Sequence, residues 1–204
     1  PLLSLVVSGG HTELAYQVSE FNFKVLGSIQ DDAVGEAFDK VARVLGLPYP
    51  GGPQIDKLAK LGKANYKLPK VKTENPLDFS FSGLKSAVLQ TILREERLNQ
   101  ILNKEDCAYA FQEAALFQLL SKTKLALDQF EVKHLVLAGG VAANSRLREL
   151  ITDLKQSYPD LIITIPPMWC CTDNGAMIGA AAEVAYRHHV KGDLSLSAKA
   201  SIDY

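Results

Sequence analysis

Leu3 to Val7 is an apolar run broken only by Ser4, and it reads as a strand buried on both faces. A second run, Glu13 to Val18, alternates around Leu14, Tyr16 and Val18, and Phe23 to Ile29 is a third. Only Ser8-Gly9-Gly10-His11-Thr12 and Ser19-Glu20 separate them, so an antiparallel meander is predicted. The period then changes. Ala37, Phe38, Val41, Val44 and Leu45 recur at helical spacing and predict a helix over 33–45, with Asp31-Asp32 as its acidic cap. Asp32, Glu36, Asp39 and Arg43 fall on another face of that helix, where a solvated surface is the simplest reading.

Gly46 to Pro53 carries three prolines and three glycines, and no helix is expected to run through it. Such a loop supports a ligand or merely connects. Ile55 to Leu61 predicts a short helix ended by Gly62. Lys63, Lys67, Lys70 and Lys72 follow in an unpatterned stretch, the best candidate for phosphate-backbone contacts; a solvated loop is its competing reading. Phe79 and Phe81 alternate with Ser80 and Ser82, suggesting a short strand before a helix that starts at Ser82 and runs to about Arg94. A longer helix is predicted over Asp106–Phe130, with Ala110, Ala114, Phe117, Leu120 and Leu127 close to one face.

His134 to Ala138 reads as a strand ending in Gly139-Gly140, with a helix from Asn144 to Gln156. Strand, glycine turn and helix place a ligand at the carboxyl end of a parallel strand. The dinucleotide fingerprint spacing and the P-loop lysine are both missing from it. Leu161 to Ile165 reads as a buried strand stopped by Pro166-Pro167. Cys171-Thr172-Asp173-Asn174 caps a last helix reaching about His188, whose Gly175, Gly179 and alanines imply close approach by a backbone or ligand. Gly192 to Tyr204 is a polar tail.

Composition changes this picture little. The 204 residues are 47% hydrophobic and 22% charged, with a net charge of −1, so no global basic signal for nucleic acid exists. Cys107, Cys170 and Cys171 form no C-x-x-C pair and read as reduced thiols of a cytoplasmic protein. The longest apolar runs fall far short of a membrane span, and no membrane partner is expected. Pro1-Leu2-Leu3 leads straight into a strand, which reads as a fragment of a longer chain.

The element order is β-β-β-α, a helical insertion at about 46–130, then β-α-β-α. That order predicts an α/β fold with a ribonuclease-H-like mixed sheet, and it resembles one lobe of the actin-like ATPase and sugar kinase superfamily. The expected lobe spans 1–190, with 191–204 as its tail and the N-terminal lobe absent. The motifs narrow the resemblance. Val7-Ser8-Gly9-Gly10-His11-Thr12, Asp31-Asp32-Ala33 with Gly35-Glu36-Ala37-Phe38-Asp39-Lys40, and Leu47 with Tyr49-Pro50-Gly51-Gly52-Pro53 come first. Phe79-Ser80-Phe81-Ser82-Gly83-Leu84-Lys85, Gly139-Gly140-Val141-Ala142-Ala143-Asn144 and Cys171-Thr172-Asp173-Asn174 follow. Together they resemble the bacterial tRNA N6-adenosine threonylcarbamoyltransferase family, over nearly the whole chain.

The resemblance implies transfer of a threonylcarbamoyl group from its adenylate to N6 of the tRNA adenosine beside the anticodon. It implies that Val6, Val7, Ser8, Gly9 and Gly10 line the substrate, that Asp39 meets the ribose, with Gly52 in the same region, and that Asn144 lies on the adenosine side. His11 would reach the carbamoyl or phosphate group, and Asp173 would ligate a divalent metal, iron or zinc. It also implies tRNA, threonylcarbamoyl-adenylate or an ATP-like nucleotide, a degenerate paralogue subunit and an accessory ATPase as partners. The family's other metal ligands are a His pair with three residues between them. No H-x-x-x-H occurs here; the histidines are His11, His134, His188 and His189. The expectation is one lobe with an incomplete ligand set, inactive alone. A small-molecule kinase of the same superfamily is disfavoured by the Tyr49–Pro53 and Phe79–Lys85 blocks. A non-catalytic scaffold paralogue is disfavoured by the retained Asp39, Asn144 and Asp173. A metalloendopeptidase is discounted because no H-E-x-x-H is present.

Overall fold

The computed structural model describes residues 1–190 together with 192, 193, 195 and 197. Its sheet is built from β1 (Leu2–Val7), β2 (Thr12–Ser19), β3 (Asn22–Gly27), β4 (His134–Ala138) and β5 (Ile162–Thr164). The spatial order is β3-β2-β1-β4-β5. β1 pairs antiparallel with β2, and β2 with β3, as the short connections require. β1 also pairs parallel with β4, and β4 with β5. The expected α/β fold with a mixed ribonuclease-H-like sheet is the observed one. β1 lies at the centre of the sheet, but its burial alternates rather than covering both faces: Leu3, Leu5 and Val7 are fully buried with Leu14 and Leu135 of the neighbouring strands, whereas Leu2, Ser4 and Val6 are half-buried.

Among the described residues the α-helices are α1 (Val34–Val44), α2 (Gly51–Ala59), α3 (Ser82–Arg97), α4 (Lys104–Gln129), α5 (Ser145–Thr152) and α6 (Gly175–Arg187). Phe38 of α1 meets Phe111 of α4 edge-on at 5.0 Å, joining the helical section to the lobe. Two units divide the chain, Pro1–Thr172 and Asp173–Tyr204. The first holds the whole sheet and α1–α5. The second holds α6, capped by the Asn174 side chain, which accepts from the Met177 N–H at 3.1 Å. A side chain at Gly175 or Gly179 would meet nothing within 4 Å, unlike the expected close approach. Most of the predicted polar tail lies outside the described residues. No helix among the described residues is long and apolar enough to cross a membrane.

Several local expectations are corrected. Asp31 and Asp32 do not cap α1, whose N-cap is Ala33 without a side-chain bond. The Val34 N–H instead donates to the buried Thr12 Oγ1 at 2.9 Å, so β2 caps the helix. α2 begins at Gly51 rather than Ile55. Pro53 falls in its first turn, where no N–H is needed. Phe79 and Phe81 form no strand; Phe79 makes an isolated bridge to Ile29 while both rings are fully buried. β5 is an edge strand with Ile162 57% exposed, not a buried one. The helix expected over 144–156 is α5 flanked by short 3₁₀ turns, Gly140–Ala143 and Asp153–Gln156. The expected apolar stripe of α4 is only the margin of its buried face. Ala108, Phe111, Ala115, Leu119 and Ala126 are buried together with Ala110, while Ala114, Leu120 and Leu127 pack partly buried beside them, and Phe117 alone of the stripe is exposed, at 46%.

Candidate functional site

Parallel pairing of β1 with β4 sets Val6 opposite Ala138, so both glycine turns emerge at one edge of the sheet. In the first turn the Ser8 hydroxyl oxygen accepts from the His11 N–H at 2.9 Å and the Gly10 N–H at 3.3 Å. The Ser8 N–H donates to the His11 carbonyl at 2.8 Å. The Gly35 N–H donates to the Ser8 carbonyl at 3.1 Å, which seats the first turn of α1 directly on this loop. Gly139, at φ +94°, packs against the Val7 carbonyl and locks the second turn beside the first. Arg148 donates to the carbonyls of Ala142 at 3.0 Å and Pro166 at 2.9 Å, fixing that turn to the loop that carries Met168.

A cavity of about 510 Å³ opens between these turns, α1 and the start of α2. Gly9, Asp39, Gly52 and Asn144, from the residues expected by sequence, line it together. Val6, Val7, Ser8, Gly10 and His11 build the turn beside it without appearing in its lining, and the Val7 side chain is fully buried in the core. Asp39 Oδ1 accepts from the Gly51 N–H at 2.7 Å, and a side chain at Gly51 would collide with Asp39 and Ala42. That contact docks the head of α2 on α1 and leaves Asp39 Oδ2 without a protein partner among the described residues. Asn144 is the N-cap of α5, its Oδ1 accepting from the Leu147 N–H at 2.9 Å. Its Nδ2 donates to Gln112 Oε1 at 2.8 Å, so α4 holds it in place.

Asp56, Lys57, Lys60 and Met168 line the same cavity and were not singled out by sequence, and Phe38, read only as helix face and motif, joins them. Asp56 accepts from the Ser145 hydroxyl at 2.9 Å and its N–H at 3.2 Å, tying α2 to α5. Gly52 and Asp56 lie one helical turn apart, a signal hidden while α2 was placed to begin at Ile55. The cavity thus offers carboxylates at Asp39 and Asp56, ammonium groups at Lys57 and Lys60, bare backbone at Gly9 and Gly140, and apolar surface from Phe38 and Val141. That set suits a nucleoside with an anionic tail: carboxylates accept from ribose hydroxyls, and glycine backbone lets phosphate approach. The volume is that of a small-molecule site.

The Phe79–Ser82 segment is held by Asp31. Its carboxylate accepts from the Ser80 and Ser82 hydroxyls at 2.5 and 2.6 Å and from the Phe81 N–H at 2.8 Å. Burial pushes this carboxyl upward, but the Ser80 and Ser82 hydroxyls and the Phe81 and Ser82 amides outweigh it and hold it below the ordinary value.

Among the described residues no three His, Cys, Asp or Glu side chains gather into a metal-ligating group. Asp173 opens the second unit and is exposed. His134 Nε2 lies 2.7 Å from Thr164 Oγ1, and His11 is committed to the first turn through its backbone. One carboxylate does not meet a metal's need for several ligands, so these residues by themselves do not fit the expected ion.

A curated tRNA N6-adenosine threonylcarbamoyltransferase of Lactiplantibacillus plantarum is 48% identical over the entire chain, which covers 59% of that relative. Those of Bacillus licheniformis and Geobacillus thermodenitrificans are 47% and 49% identical, with 60% and 58% of their lengths covered. The chain therefore spans about 60% of the curated relatives it matches. Among solved structures, HypF of T. kodakarensis superposes with a TM-score of 0.56 at 19% identity, over 83% of this chain and 21% of that one. Component A of the Acidaminococcus fermentans (R)-2-hydroxyglutaryl-CoA dehydratase gives 0.51 at 18% identity, over 93% and 62%. These two likenesses show the fold alone. Residues 1–180 match the family described as tRNA N6-adenosine threonylcarbamoyltransferase, and the chain belongs to that family.

Proposed function

We propose that the full-length protein transfers a threonylcarbamoyl group from threonylcarbamoyl-adenylate to N6 of the tRNA adenosine beside the anticodon, and that this chain supplies the nucleotide-holding wall of its cleft. The observation that carries the reading is the convergence of Gly9, Asp39, Gly52 and Asn144 on one cavity of nucleoside size. Asp39 Oδ2 would accept from a ribose hydroxyl, Gly52 would border the ribose, and Asn144 would lie on the adenine side. Val6 to Gly10 would present backbone to the phosphate, and His11 would lie near the carbamoyl group. The adenosine amine attacks the carbamoyl carbon, the C–N bond forms, the bond to phosphate oxygen breaks, and the amine loses a proton. Oriented N–H groups near that carbon would favour the anionic intermediate.

Asp173 would contribute one ligand to a divalent metal, iron or zinc, with the remaining ligands supplied outside this chain; no step above depends on it. A degenerate paralogue subunit and an accessory ATPase are the expected protein partners, and the cytoplasm the expected compartment. Asp39→Ala in the full-length protein tests the reading. We expect adenylate affinity to fall at least about tenfold, the loss of one charge-assisted hydrogen bond, measured at a temperature where the variant is fully folded, because the Gly51 N–H also loses its acceptor and stability should drop by about 1–3 kcal/mol. Wild-type affinity in that variant would overturn the assignment of this cavity.

A further inference from the structure

We infer that the lysine-rich segment after α2, together with the adjoining face of α4, forms a track for the RNA backbone leading to the cavity. This rests on the function proposed above and names where its RNA substrate is gripped. A second groove of about 670 Å³ lies between residues 64–71 and α4, lined by Lys67, Lys70, Phe117, Tyr109 and Glu113. The segment 63–72 carries four lysines and no acidic residue in a chain whose net charge is −1, so its positive charge is locally concentrated. Lys67, Lys70 and Lys72 are exposed, and none has an ion-pair partner among the described residues. Glu113, the groove's carboxylate, is engaged by Arg146 at 3.0 Å.

The track is rigidly mounted. Asp106 accepts from the Lys63 N–H and the Asn65 side chain, both at 2.7 Å. At the other end the buried Lys122 ammonium donates to the Pro76 carbonyl at 2.9 Å and to Thr73 Oγ1 at 3.1 Å. Lys70 lies 4.4 Å from the centroid of the half-exposed Phe117 ring. An exposed aromatic ring among lysines without ion-pair partners is the pairing used for sequence-tolerant nucleic-acid grip, in which the ring exchanges the lysine resting on it for a base while the cations follow phosphates. Chain connectivity links groove and cavity: Lys57 and Lys60 line the cavity from α2, where Asp56 lies 3.9 Å from the Lys60 ammonium, and the same chain then delivers Lys67 and Lys70 to the groove. On the other side, Gln112 holds Asn144 of the cavity while its neighbour Glu113 lines the groove. An acidic protein segment would use the charge, but only a nucleic acid substrate has to run continuously from such a groove to the reacting base.

The test is binding of an unmodified tRNA transcript carrying the acceptor adenosine to the full-length protein across a salt series. Lys67→Ala/Lys70→Ala should lower affinity at least about tenfold near 0.1 M salt and reduce the slope of log K against log salt by about 1 to 2. Phe117→Ala should lower affinity about fivefold or more with the slope unchanged. Lys24→Ala/Lys155→Ala, which removes the same charge elsewhere, should stay within about twofold of wild type if the effect is local. Adenylate affinity should be unaltered in all of these, showing an intact cavity. Wild-type tRNA affinity and slope in the groove variants would overturn the inference. So would loss of a protein partner with tRNA binding retained. Failure of the wild-type protein to bind tRNA would instead overturn the functional reading itself.

Discussion

The glycines around the cavity are of two kinds. At Gly139, Gly35 and Gly51 an added Cβ would lie 2.3 Å from the Val7 carbonyl, 2.6 Å from the Ser8 carbonyl and 2.4 Å from Ala42. Those glycines are demanded by packing, where backbone meets backbone. At Gly9, Gly52 and Gly140 an added Cβ would meet nothing within 4 Å, and none of these three has a positive φ. Yet all three line the cavity. Protein packing therefore accounts for the first group and not for the second. The crowded glycines bring the turns together; under the proposed function, the open ones keep the cavity wall low enough for the nucleotide to touch main chain.

The contrast breaks most visibly at Gly139. Gly139→Ala combines a strained positive φ with a clash that neither strand can relieve, because β1 and β4 are paired across it. We expect a loss of about 3 kcal/mol, near the top of the overpacking range. Thermal unfolding of the full-length protein should fall by roughly 6–12 °C. A loss under about 1 kcal/mol would mean the turn is loosely set and the distinction fails. Gly35→Ala comes next, at about 1–3 kcal/mol, since α1 has some freedom to shift away from the Ser8 carbonyl. It should also weaken adenylate binding, because Gly35 both packs against the opening turn and lines the cavity.

Asp31→Ala supplies a stability loss away from the cavity lining, against which the glycine variants can be calibrated. The exposed carboxylate holds Ser80, Phe81 and Ser82, and we expect a loss of about 1 kcal/mol, moderated by solvent screening. The folded carboxyl titrates below the unfolded one. Its contribution is thus full above the unfolded value of about 3.9 and lost as pH falls through the lower folded value. Denaturant titrations of wild type and Asp31→Ala should differ at pH 7 and converge in acid. A constant gap between them would show that the carboxylate's charge is not what holds the loop.

How much of this was legible in the chain divides along the same physical line. The β1, β2 and β3 runs, the helix after them and the glycine-ended β4 were readable because burial and period are local properties. From them the sheet order follows, and with it the meeting of the two turns. Asp31 misled because its partners lie about fifty residues downstream, at Ser80 and Ser82. A pair of acids before a helical period looks like a cap until that contact is known, and Thr12 supplied the real cap from another strand. Gly51-Gly52-Pro53 looked like a break. A helix starts there because Gly51 can sit against α1, and Pro53 falls where no donor is needed. Missing that start concealed Asp56 on the cavity side. Phe117 read as core from its spacing, but the buried face of α4 is set by which helices pack on it, not by its own composition alone.

The smallest predicted stability effect is the sharpest test of the contrast, because stability and binding should come apart. Gly52 is the second residue of α2 and, its chain neighbours aside, has open space at its Cβ position. Alanine there removes unfolded-chain freedom, but Gly52 precedes Pro53, whose ring disfavours the helical region for a residue with a Cβ, so the two terms offset and Gly52→Ala should stay within about 0.5 kcal/mol of wild type. The same methyl group would project from the cavity wall and should lower adenylate affinity. Denaturant unfolding and adenylate titration on the same full-length variant read both quantities. Unchanged stability but weaker binding is the expected pair, and it separates a residue retained for its ligand from one retained for its fold. If Gly52→Ala instead loses well over about 1 kcal/mol, α2 needs its bare first turn, and Gly52 joins Gly51 in the other class. If it keeps its stability and binds as tightly as wild type, the ligand does not approach this wall, and the nucleoside must lie nearer the turns at Gly9 and Gly140.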